Sequence, residues 1–248
     1  MRYFNESDRE KKEKRLSEQP KWAQRLFRNI PTIHDMYDDQ LIPYISKDSV
    51  LLDAGCGKKG IMNKYRGRFK YSVGIDLSLS AIKMNDSLDS YAQASLSDLP
   101  FRDGTFDIII SQWAVEHIED PAVCFREFYR VLKKGGGVIV VTNSIYNPLM
   151  FFSSVFPEKI RDAIKKRLLP PEIEEDTFPT YYNCNTLAKS EEVFEGIGFT
   201  KVFDSYVGDA SFFIFSRLIF PILLFYEKLT DIPFLRKFKM HTIVHYRK

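Results

Sequence analysis

Cysteine is scarce: three in 248 residues, at 56, 124 and 184. An odd number without short paired spacing excludes a disulfide framework and a zinc knuckle, and suits a reducing compartment. Cys56 reads as a small buried filler, not a reactive thiol. The opening stretch, MRYFNESDREKKEKRLSEQP, lacks the apolar centre of a secretion signal; its six basic and five acidic residues fit a solvated, helical or cap-like arm. Long apolar runs are missing too. The richest block, Phe212 to Tyr226, has 15 residues broken by Ser216, Arg217 and Pro221. As a helix it would reach about 22 Å, short of a roughly 30 Å hydrocarbon core, so it does not span a membrane. Strong net charge is also absent: +3 is too mild to argue for a nucleic-acid partner, and none is expected.

What is present is the composition of a soluble domain of good size, 44% hydrophobic and 28% charged. Aromatics are plentiful, with 21 Phe and 13 Tyr that need burying or binding. Charge is unevenly placed. Residues 158–169 carry +3 and residues 227–248 carry +4, leaving −4 for everything else.

After a helix-like stretch over residues 21–46, strands and helices alternate. DSVLLDAG, YSVGID, FDIIIS and GGGVIVVTN are short apolar runs; residues 80–87 and 121–132 between them have helical length and pattern. Nearly continuous apolar strands separated by helices indicate a parallel sheet covered on both faces, hence a doubly wound α/β fold with ligands at the carboxyl ends of its strands. Beyond residue 143 come a helix near 186–195, a strand in GIGFTKVFDSYVG and a closing strand in MHTIVHYRK. Two insertions result, at about 144–185 and 209–240. The division is a helical arm over 1–46 and one domain over 47–248.

VLLDAGCGKKG, residues 50–60, poses the question of cofactor. Gly55, Gly57 and Gly60 spell a dinucleotide fingerprint, and in any reading they let the backbone approach a ligand beside a helix N-terminus. Asp53, just before the turn, would repel a pyrophosphate but attract the ammonium of a methionine moiety, which favours S-adenosylmethionine. Asp76 ends the second strand and can accept from both ribose hydroxyls. Asp98 would accept from an adenine amino group, Leu77 and Leu99 would sandwich the ring, and Ser111 and Gln112 would border the methionine end.

The motifs DAGCG, GIDLS, SDLPFRDGTFD, EHIEDP and REFYRVLKKGGGVIVV, in order from Val50 to Asn143, resemble class I S-adenosylmethionine-dependent methyltransferases, in the small-molecule branch that includes quinone-biosynthesis enzymes. The resemblance implies a mostly parallel, seven-stranded Rossmann-like sheet with helices on both faces and two C-terminal insertions, and methyl transfer, most readily at oxygen. Lys59 stands where many such proteins have a third glycine, with Gly60 displaced by one, which implies a looser turn.

Methyl transfer from a sulfonium asks mainly for alignment and exclusion of water. Where an acceptor arrives protonated, His117 is the candidate base; hydrogen-bonding the loop after its strand is the alternative role. A metal-binding Glu-x-x-Glu-His pattern is incomplete here, with Trp113 in the first place, and Glu116 with His117 are too few ligands for a hard cation. No metal is expected. EEDTFPTYYNCNT, residues 174–186, is similar to a segment of bacterial glycan and lipid-linked methyltransferases. It makes Thr180, Tyr181, Tyr182 and Asn183 candidates for the acceptor pocket, or for a plain lid, and Trp113 is a further candidate for that pocket. The apolar block with Arg236, Lys237 and Lys239 suits a buried helix pair, a lid, or a membrane surface joined by the basic 159–167 helix. The resulting expectation is a cytoplasmic enzyme, peripheral at the inner face of the membrane in the lipid-contact reading, acting on a small or lipid-linked acceptor. A Rossmann NAD(P)-dependent oxidoreductase and a non-catalytic cofactor-binding adaptor at a membrane surface are the alternatives.

Overall fold

A computed structural model describes residues 32–58, 61–148, 150–151, 178–208 and 219–248. Gly60, the 159–167 helix and the first part of the apolar block lie outside them, as does the arm before residue 32. Seven strands form one sheet: β1 (Val50–Ala54), β2 (Tyr71–Asp76), β3 (Ser90–Gln93), β4 (Phe106–Gln112), β5 (Leu132–Asn143), β6 (Thr200–Val207) and β7 (His241–Arg247), in the order β3-β2-β1-β4-β5-β7-β6. Pairings are parallel except those of β7, which runs antiparallel between β5 and β6. This is the Rossmann-like methyltransferase arrangement expected from the motifs. The strand order reverses at β1 and β4, so their carboxyl ends flank a crevice.

The helices begin where local chemistry caps them. Thr32 and Asp35 form a capping box at the start of α1 (Ile33–Leu41), Ser78 caps α2 (Leu79–Met84), Asp120 with Pro121 opens α3 (Pro121–Val131), and Thr186 opens α4 (Leu187–Ile197). Gly198, at φ 112°, ends α4 in the left-handed conformation that a side chain disfavours. A fifth helix, α5 (Ile219–Leu229), is followed by a short 3-10 helix, Pro233–Phe238.

Strand alternation divides the core. Leu52, Ile109, Val138 and Val140 face α3 and α4, whereas Leu51, Ile108, Ile110, Ile139 and Val141 face α1. On the first side Phe125, Phe194 and Tyr246 stack in series, with ring centroids 4.1 and 4.3 Å apart, tying α3, α4 and β7 together. On the second side Ile33, Tyr37 and Leu41, four residues apart, are the buried stripe of α1. The Tyr44 hydroxyl, 2.9 Å from His245 Nε2, and Gln40 Oε1, 3.0 Å from Nδ1, fasten this segment to β7. Burial, and then Arg247, hold the His245 imidazole down at about 4, so it stays neutral. The described part of the N-terminal arm is thus packed into the core.

Both insertions leave from the carboxyl edge of the sheet, one after β5 and one after β6.

Candidate cofactor and acceptor site

The first half of the site is set by how β1 ends. Gly55 and Gly57 take positive φ, 80° and 55°, and the N–H groups of Gly55 and Cys56 both donate to the Ile75 carbonyl, at 2.8 and 2.9 Å. A Cβ on Gly55 would lie 2.5 Å from that of Ala114, so any other residue would fill the crevice and strain the turn. The Gly57 N–H donates to Asp76 Oδ2 at 2.9 Å and the Ser78 N–H to Oδ1 at 2.8 Å. Asp76 is therefore aimed before any ligand arrives, and each oxygen keeps a further lone pair. Asn85 closes the turn from below, its Nδ2 donating to the Cys56 and Gly57 carbonyls, both at 3.0 Å.

Asp53 is 5% exposed, and among the described residues no donor reaches its carboxylate. Burial, with the Asp76 charge adding to it, pushes its carboxyl up to about 7. A buried acid with no donor beside a second acid is a place prepared for a cation. The residues fit S-adenosylmethionine on that ground and on the bare backbone at Gly55. Cys56 is buried, with its thiol pushed far up by burial, as expected of a filler.

Leu77 lies at the exposed rim beyond Asp76. Leu99 is a different matter. Only 3% exposed, it sits in the core with Leu52, Ala54 and Ile75. Its N–H donates to Glu127 Oε2 at 2.8 Å and its carbonyl accepts from Arg130 Nη2 at 2.9 Å, which lock that orientation. Its side chain is turned into that core, away from the exposed rim where Leu77 lies. Asp98 is exposed in a turn bridged to Ser95. The half-buried side chain of that turn is Leu96, just past the end of β3, where Ala94 N–H meets the Asp76 carbonyl at 3.1 Å.

Ser111 is also turned inward: fully buried, its hydroxyl donates to the Ala54 carbonyl at 2.8 Å and ties β4 to β1. Gln112 and Trp113 follow. Trp113 has φ 51°, uncommon for a bulky residue, held by its N–H on the Val141 carbonyl at 2.8 Å and by an edge-to-face contact with His241 at 5.8 Å. Sequence reasoning missed Tyr37. Its hydroxyl is buried and makes no aligned hydrogen bond. Burial and then Asp53 push its phenol up, while nearby Gln112 acts in the opposite direction. A tyrosine in the buried stripe of a capped helix was the available signal.

Beyond β4 the turn Val115–His117 supports the acceptor side. Glu116, buried, accepts from Thr142 Oγ1 at 2.6 Å and from Asn143 Nδ2 at 3.0 Å, and burial raises its pKa. Its carboxylate belongs to that network, not to an open ligand face. Among the described residues no three metal-ligating side chains converge. The Glu116 carbonyl accepts the Tyr181 N–H at 2.8 Å, and Asn183 Nδ2 donates to the Glu119 carbonyl at 2.7 Å. Asn185 donates to Thr142 Oγ1 and to the Asn143 carbonyl, at 2.7 and 2.9 Å. His117 Nδ1 lies 3.0 Å from the Pro179 carbonyl, so Nδ1 carries the proton and Nε2 the lone pair. Residues 178–186 are docked over this turn, with Thr180 and Tyr181 exposed and Tyr182 half-buried at φ 54°. The amide nitrogen of Asn183 holds the loop.

Residues 52–140 match the family described as a methyltransferase domain. Over 97 residues the chain is 33% identical to a malonyl-[acyl-carrier protein] O-methyltransferase of Erwinia billingiae, covering 38% of this chain and 39% of that protein. Over 119 residues it is 30% identical to a demethylmenaquinone methyltransferase of Streptomyces griseus, covering 46% and 50%. The chain thus spans half or less of the length of these relatives. An S-adenosylmethionine-dependent methyltransferase from Mesorhizobium loti has the same fold, with a TM-score of 0.56 at 16% identity over 87% of this chain and 97% of that one.

Proposed function

Because this chain carries a methyltransferase domain on the fold of the S-adenosylmethionine-dependent methyltransferases, we propose that it methylates a small or lipid-linked acceptor, at oxygen. The observation that carries this reading is Asp53: a buried carboxylate without a donor, at the place where a dinucleotide would put its pyrophosphate, suits an ammonium and opposes a phosphate. When bound, the cofactor supplies an electrophilic methyl group on a sulfonium.

The chain's own residues do the rest. Asp53 holds the amino group, the Gly55–Gly57 backbone passes beneath the ligand, and Asp76 takes the ribose hydroxyls. Leu77 and Leu96 flank the adenine, with Asp98 near its amino group, and Gln112, Trp113 and Tyr37 close the methionine end. His117 receives the acceptor's hydroxyl proton at Nε2, since Nδ1–H is engaged by Pro179. The loop with Thr180, Tyr181 and Tyr182 covers the acceptor and excludes water. The activities of the two relatives, on a malonyl group carried by a protein and on a demethylmenaquinone, guide the choice of a small group on a larger carrier. We place the encounter at the cytoplasmic surface of a membrane, a reading supported by the apolar and basic character of the second insertion.

Calorimetry of the purified chain against S-adenosylmethionine and NADH tests the cofactor. Heat with the first and none with the second is expected, and the reverse would return the oxidoreductase reading. Transfer of labelled methyl groups into a cell extract, read by mass, tests the activity; binding without transfer would leave the adaptor reading.

A further inference from the structure

Helix α5 buries Leu224 but leaves much of its apolar surface exposed. Its inward residues include Glu227, and Thr230 just beyond it, both buried, whereas Ile222 and Phe225 are 69% and 68% exposed, with Leu229 beside them. The chain then turns, and Ile232 and Phe234, the latter 73% exposed, add further exposed apolar side chains to the same segment. A polar residue faces inward because the structure holds it there. The Glu227 carboxylate lies 3.2 Å from Lys239 Nζ and packs so closely on Gly208 that a Cβ there would fall 1.5 Å from Oε2. Lys239 also reaches Asp231 at 2.9 Å. The segment is therefore fixed by a buried ion pair at its back. So many large apolar side chains exposed along one segment mark an interaction surface.

The flanking charges choose the occupant. Lys228, Arg236 and Lys237 are exposed and make no ion pair among the described residues; the Lys237 ammonium lies over the Tyr146 ring at 5.5 Å. The one exposed acid of the segment, Asp231, is already paired. We propose that this segment docks the protein on an anionic lipid surface, the apolar side chains entering the interface and the three cations meeting headgroups. A second copy of the chain is a poorer occupant: two-fold pairing would set the three cations against their own equivalents. The segment also belongs to the carboxyl edge of the sheet. Ser144 Oγ and Asn147 Nδ2, just past β5, donate to the carbonyls of Lys237 and Phe238, both at 3.0 Å. A docked molecule would present its crevice near the bilayer. The proposal rests on the membrane reading above only for its purpose.

Flotation of the full chain with vesicles of phosphatidylcholine alone, or with phosphatidylglycerol added, is the test. Binding only to the anionic vesicles is expected, weakened by salt, and reduced roughly fivefold by each of Lys228→Gln, Arg236→Gln and Lys237→Gln. Phe225→Ser with Phe234→Ser should abolish it. Both side chains are exposed, so thermal unfolding and S-adenosylmethionine binding should not change, and these two readouts separate loss of docking from loss of fold or of the cofactor site. Absence of flotation with anionic vesicles, equal flotation of all variants, or self-association removed by the Phe substitutions without vesicle binding would each overturn the proposal.

Discussion

His117 Nδ1 faces the carbonyl oxygen of Pro179 at 3.0 Å, so the imidazole fastens the loop over residues 178–186 and leaves Nε2 for the proposed role as base. The two duties separate by substitution. His117→Asn keeps a donor near the Nδ1 position and removes the base, whereas His117→Ala removes both. Both should lower kcat by about 10²- to 10⁴-fold, and only the alanine variant should also raise the acceptor KM.

Asp53 predicts a pH dependence. Its carboxyl is raised from 3.8 to about 7 by burial and by Asp76, so between those values the folded chain holds a proton that the unfolded chain has released. The stability this group contributes is present at acid pH and is lost as pH rises through about 7, by up to about 1.4 kcal/mol per unit in that window. Asp53→Asn should therefore melt higher than the parent at pH 8, the gap closing towards pH 5, while losing S-adenosylmethionine binding. Melting curves that run parallel at both pH values would refute the assignment.

Asp76 holds the turn at Gly57 and Ser78 and is assigned the ribose. Hydrogen bonds to a charged group contribute about 1.5–3 kcal/mol each. Asp76→Ala should weaken S-adenosylmethionine by at least about 100-fold in calorimetry. Unchanged affinity would mean that the ribose lies elsewhere.

Gly55→Ala should destabilise the fold by about 2–4 kcal/mol, through overpacking on Ala114 and a positive φ. Adding Ala114→Gly should recover the steric part and leave the backbone part. Chemical denaturation of the single and double variants measures the split.

Where information is local, the sequence was a good guide. β1, β2, β4 and β5 follow from apolar runs, and the cluster of Asp53, Gly55, Gly57 and Asp76 follows because consecutive residues at two strand ends make it. β3 was not singled out: Ser90–Gln93 is a short edge strand, half-exposed and without alternation. Leu99 read as a ligand contact, whereas its inward orientation is set by Glu127 and Arg130 on a helix distant in sequence, which clamp its backbone. Tyr37 escaped notice because α1 meets the sheet through contacts with β5 and β7 that are distant in sequence. Asn183 read as an acceptor contact; only the docked loop shows its amide nitrogen meeting Glu119.

The position of β7 has a consequence for synthesis. Residues 241–247 lie between β5 and β6 and bring Tyr246 into the aromatic stack, so this hairpin-like closure waits on the last strand to emerge. Until then a ribosome-bound nascent chain displays two unpaired sheet margins and a Phe125–Phe194 pair open to water, the state in which aggregation or chaperone capture competes with folding.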